Sequence, residues 1–120
     1  MLFLYVFGIL AFIYLICSKR SNGVNIAKLL RQSARYATAA QQDESPLVAV
    51  LHANYAAGYL WALKDIATPR EIHQSTGVDL KQFEEHIVNI QDMISKKVVK
   101  KCPEFSGEVD LYLATIAGEA

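Results

Sequence analysis

Histidine and cysteine are the residues of this chain best suited to chemistry, and their spacing argues against it. His52, His73 and His86 stand at none of the i,i+4 or C-x-x-C separations that bring metal ligands onto one face. Cys17 closes an apolar run and Cys102 follows a lysine cluster, so a disulfide framework is not expected and a thiol-reducing compartment is the simpler setting. His52 and Asn54 invite a catalytic interpretation. Neither has a neighbouring cysteine, serine elbow or paired carboxylate in the pattern nucleophilic catalysis requires. A hydrogen-bonded core or interface histidine is the expectation. With no glycine-rich phosphate loop either, the chain reads as a non-enzyme with no cofactor and no metal.

The other chemistry on offer is charge. Twelve Lys/Arg balance twelve Asp/Glu over 120 residues, so net charge selects no partner. The distribution is uneven, because residues 1–18 carry no charge while 19–42 carry Lys19, Arg20, Lys28, Arg31 and Arg35 without one acidic residue. Such a group suits the headgroups of an anionic membrane, where each basic residue contributes about 1 kcal/mol. It also suits an ordinary solvated helix face. Nucleic acid is not expected as a partner, since no stacking aromatics are interleaved with these cations.

These residues must be positioned by helices. Residues 2–17, LFLYVFGILAFIYLIC, form an apolar run that with its flanks spans roughly 27 Å, just enough for a bilayer core of roughly 30 Å. There is no basic stretch before it and no small-residue cleavage site after it, so the expectation is an uncleaved transmembrane anchor over 1–18. Lys19 and Arg20 beyond it predict a single-pass protein with its C-terminal domain in the cytosol. Ser21-Asn22-Gly23 reads as a hinge. A basic juxtamembrane amphipathic helix over 19–44 follows, with Lys28, Arg31 and Arg35 on one face and Ile26, Leu29, Leu30, Ser33, Ala37 and Ala40 opposite.

Residues 45–120 read as a compact helical domain. Ser45-Pro46 opens a central helix to about residue 67, without a charge before Lys64, which predicts burial nearly all round as a core helix. Ala49, Ala53 and Ala57 would let a neighbour approach closely, beside a stripe of Leu47, Leu51, Tyr55, Gly58, Ala62 and Ile66. His52, Asn54, Tyr55, Tyr59 and Trp61 are the candidates for contact with a partner. Thr68 to Glu71 has the form of a capping box, Gly77 of a helix stop, and Asp79 of a second N-cap. The long helix that follows carries Leu80, Phe83, Ile87, Ile90, Ile94 and Val98 as a near a/d seam, an Asp92–Lys96 pair, and four lysines at its end. A short last helix is expected over 108–117. The fold class is therefore all-α: one transmembrane helix followed by a four- to five-helix bundle. The short helix, glycine turn and long helix also outline a helix-turn-helix, although Glu84 and Glu85 in its second helix oppose phosphate.

The run HANYAAGYLWALKDIAT at 52–68, the short capped helix after it and the lysine-rich end at 96–101 resemble small membrane-anchored proteins of giant nucleocytoplasmic DNA viruses, over residues 24–120. The resemblance implies a virion membrane or minor capsid-associated protein, anchored in the internal lipid membrane beneath the capsid. It brings no catalytic residues. The expected function is that of a membrane-anchored structural or scaffolding protein whose partners are lipid and other membrane or capsid proteins, with oligomerisation open. An accessory subunit of a host organelle membrane complex and a helix-turn-helix DNA-binding protein are the alternatives.

Overall fold

The computed structural model describes residues 1–105, which are helical with no strand among them. Helix α1 runs over Leu2–Gln42, α2 over Pro46–Ile66, α3 over Pro69–Thr76 and α4 over Leu80–Lys101, with a 3-10 turn at Pro103–Phe105. The fold class is all-α. The helix expected over 108–117 lies outside the described residues.

The hinge expected at Ser21-Asn22-Gly23 is absent. Helix α1 passes through these positions without a break, 41 residues and about 60 Å long. Glycine in a helix interior costs about 1 kcal/mol, and no proline interrupts the ladder, so strong helix formers on both sides carry the backbone through. Helix α3 supports the same place, because an added Cβ at Gly23 would lie 3.7 Å from Ser75 Oγ. The apolar segment and the basic amphipathic segment are two halves of one helix.

Three helices pack on the second half of α1. Asp43–Ser45 turn the chain, and α2 folds back antiparallel to α1. Ala49, Ala53, Ala56 and Ala57 are all buried, which lets the two backbones come close. Ser33 in α1, fully buried, donates its hydroxyl to the Ala56 carbonyl at 2.7 Å. Helix α4 lies along the other flank of α2, and its Leu80, Ile87, Ile94 and Val98 are buried as the a/d spacing predicts. Ile26, Leu30, Leu60, Leu63, Ile72 and Ile87 share one core, so residues from all four helices hold it together. The second half of α1 belongs to the bundle as fully as α2 does.

Local signals at the turns are realised in detail. Thr68 Oγ1 accepts from the Glu71 amide while the Glu71 carboxylate accepts from the Thr68 amide, a complete capping box. Gly77 closes α3 in the left-handed region at φ 73°, where a Cβ would be strained. Asp79 accepts from the Gln82 amide at 2.8 Å. Ser45 starts α2 through Pro46 alone, without a side-chain bond. Asp92 and Lys96 do not pair. The ion pairs among the described residues are Lys64–Glu84 and His52–Asp43.

The central helix is not buried all round. Its alanine face with Leu60 and Leu63 is covered, whereas Leu47, Val48, Leu51, Tyr55, Trp61 and Ile66 are exposed. The bundle is only 20 Å across its thinnest dimension. With α1 on one flank of α2 and α4 on the next, no element among the described residues covers its remaining face.

Candidate functional site

Three surfaces carry the residues singled out from the sequence. The first is the exposed apolar half of α1: the helix is long and apolar enough to cross a membrane, and none of that stretch is buried against the protein. A helix apolar on every face, with nothing packed on it, is matched to hydrocarbon rather than to water.

The second is the set of cations. Lys19, Arg20, Lys28, Arg31 and Arg35 are all exposed, and Lys28, Arg31 and Arg35 project opposite the buried Ile26, Leu30, Ser33, Ala37 and Ala40. The amphipathic division expected from spacing is present. Because α1 is continuous, however, this segment shares the axis of the apolar half and does not turn to lie flat on a surface. The climb from Lys19 to Arg35 is about 24 Å along that axis, beyond a Debye length of about 8 Å at physiological salt. Lys19 and Arg20 stand at the end of the apolar half. Lys28, Arg31 and Arg35 stand beside the bundle, where Arg35 donates to the Gln32 side chain at 3.4 Å.

The third is the outer side of α2. His52, Tyr55 and Tyr59 gather around Tyr36 of α1: Tyr36 stacks on Tyr59 at 5.7 Å with planes 10° apart, meets Tyr55 edge-on at 5.4 Å, and lies 5.7 Å from His52. Offset and edge-on pairs of this kind add about 0.5–1.5 kcal/mol beyond their buried area. The His52 ring donates from Nδ1 to Asp43 Oδ2 at 2.6 Å, which ties α2 to the end of α1. That bond explains the histidine structurally. The structure divides the five candidates, since Asn54 and Trp61 lie on the α4 side of α2. Asn54 accepts from Gln91 at 2.9 Å, and Lys64 sits 4.3 Å above the Trp61 ring while pairing with Glu84 at 2.8 Å. Between the two groups runs a shallow groove of about 300 Å³, lined by Leu29, Asn54, Tyr55, Gly58, Tyr59 and Ala62.

The histidines remain apart. His86 donates to its own helix at the Gln82 carbonyl, 2.8 Å away, and His73 is exposed on α3. Among the described residues no group of three His, Cys, Asp or Glu side chains is placed to hold a metal. The helix-turn-helix outline is present in α3, Gly77 and α4, but Glu84 of its second helix is engaged by Lys64 and Glu85 is exposed beside it.

Comparison with family models, curated proteins and solved structures finds no match.

Sequence reasoning missed two residues of the α2 surface. Tyr36 is the hub of the aromatic cluster, and its position two turns beyond Leu29 on the α2 side of α1 is the available signal. Asp43, the first acidic residue after the basic segment, is the partner of His52. No local pattern marks a bond across a turn of this kind.

Proposed function

We propose that this chain is a membrane-anchored structural protein, in which the first half of α1 spans a bilayer, the bundle stands on its cytosolic side, and the outer face of α2 receives a protein partner. The observation that carries the proposal is the unbroken α1, whose first half is apolar and bare on all sides while its second half is built into a core. The open α2 face supports the adaptor part. Tyr55 and Trp61 are 52% and 47% exposed, in a setting where aromatic side chains supply much of the energy of protein interfaces. Lys19 and Arg20 support the cytosolic orientation by the positive-inside rule. The role is structural rather than catalytic, in keeping with His52 and His86 being occupied in bonds that hold helices.

The resemblance to giant-virus membrane proteins supports a location for this adaptor between the internal membrane of a virion and its capsid shell. Fractionation separates the sources: recovery in purified virions supports that location, and recovery with respiratory or other organelle complexes assigns the chain to an accessory subunit instead. The helix-turn-helix alternative has less support, because the acidic residues of α4 face the phosphate such a helix would approach.

Crosslinking mass spectrometry on the native membrane tests the adaptor role. Crosslinks from Lys64 to one recurrent protein are expected, and Leu51→Asp should abolish them while leaving the helical melting transition in place. Crosslinks unchanged by Leu51→Asp would remove α2 as the docking face.

A further inference from the structure

Helix α3 is short and sits against α1 where the apolar half ends. Between the two lies a cleft of about 490 Å³ lined by Ile16, Lys19, Arg20, Asn22, Gln74 and Ser75, with Gly23, Ile26 and Glu71 completing its walls. Among the described residues it is the place where a second element rises beside the cations that follow the apolar run.

The chemistry of the lining is mixed in an ordered way. Ile16 lies within the apolar run, and Lys19 and Arg20 follow it directly. Asn22, Gln74 and Ser75 add amide and hydroxyl donors further up. Glu71 is the single acid, and its carboxylate already accepts from the Thr68 amide and hydroxyl at 3.2 and 3.0 Å. Two cations and one carboxylate leave a net charge of +1 in the cleft, the complement of one phosphodiester.

We propose that this α1–α3 cleft seats the headgroup of an anionic phospholipid, its phosphodiester between Lys19 and Arg20 and its remaining polar atoms toward Gln74 and Ser75. The acyl chains run down past Ile16 along the apolar half of α1. The inference rests on the anchored reading of α1 and adds to it a particular ligand at a particular place. A diffuse attraction of basic residues to a charged surface needs no α3. A seat does.

The test uses the full chain in phosphatidylcholine vesicles containing trace spin-labelled phosphatidylglycerol or spin-labelled phosphatidylcholine, with the motionally restricted fraction read by electron paramagnetic resonance. Preference for phosphatidylglycerol is expected, falling by about fivefold for each of Lys19→Gln and Arg20→Gln. The paired Arg31→Gln and Arg35→Gln change, more than a Debye length away, should leave it intact. Ser75→Trp and, separately, Gln74→Trp fill the cleft from exposed α3 positions at unchanged charge. Either should bring the preference close to unity with the helical melt unchanged. Equal restriction of the two lipids by the unaltered chain, or a preference that survives both tryptophans, overturns the seat. A preference abolished by excess inorganic phosphate at constant ionic strength assigns the cleft to a free anion and also overturns it. Release of the chain from vesicles by high salt without detergent would instead overturn the anchoring on which the seat rests.

Discussion

Residues 2–18 and residues 26–42 lie on one helix yet meet opposite surroundings. The first stretch is bare and apolar on every side. The second buries Ile26, Leu30, Ser33, Ala37 and Ala40 and exposes Lys28, Arg31 and Arg35. The same backbone geometry serves both, so the division of labour lies wholly in the side chains. A uniform apolar surface asks for a uniform medium, whereas a striped surface asks for a neighbour on one side and water on the other. The contrast teaches that the junction at 19–25 is a change of surroundings rather than a change of structure.

The comparison can be broken most forcefully in the first half. Ile9→Asp combined with Ile13→Asp places two charges at the middle of the apolar stretch, each costing about 2.5–3.5 kcal/mol in a bilayer. The chain should pass from the carbonate-resistant membrane pellet to the soluble fraction or to aggregates, and continued resistance would show that the stretch does not span. In the second region, Leu60→Ala empties a site with no exposed surface. It should lower stability in detergent by about 2–5 kcal/mol, followed by denaturant unfolding, while carbonate resistance is retained. Loss of both together would mean that the two halves are one cooperative unit. The smallest effect is the most telling about the junction. Gly23→Ala adds a Cβ that meets only Ser75 Oγ at ordinary contact distance, so it should raise stability by roughly 0.5–1 kcal/mol. A hinge that bends at this glycine would be harmed by the same change.

Legibility in the sequence followed the range of the interactions involved. The capping box at Thr68 and Glu71, the stop at Gly77 and the cap at Asp79 are written within four residues each, and all three form. The a/d seam of α4 and the striped face of α1 are also periodic signals, and the residues they mark are buried except Leu29, Phe83 and Ile90, which are partly so. Ser21-Asn22-Gly23 is a run of weak helix formers and so signals a break locally, while the continuity of α1 is decided by the strong segments on both sides and by α3 packed on the junction. The burial of α2 misled for a different reason. A run free of charge shows that a helix tolerates cover, but the number of neighbours available to cover it depends on how the rest of the chain folds. The Asp43–His52 bond and the Tyr36 hub belong to the same class, since both arise only when α1 and α2 lie side by side.

With the first half of α1 spanning a bilayer as proposed, the unbroken helix makes bilayer thickness an input to the protein. A span of about 27 Å in a core of about 30 Å sits close to upright, and a thinner membrane is met by tilting the helix. With no joint at the surface, the tilt passes undiminished to the bundle. Over the roughly 35 Å between Lys19 and the end of α1, a lean of about 20° carries the α1–α2 turn sideways by about 12 Å. The angle at which α2 is offered to its neighbours is thereby set by the lipid underneath it, and membranes of different thickness would present the same face in different attitudes.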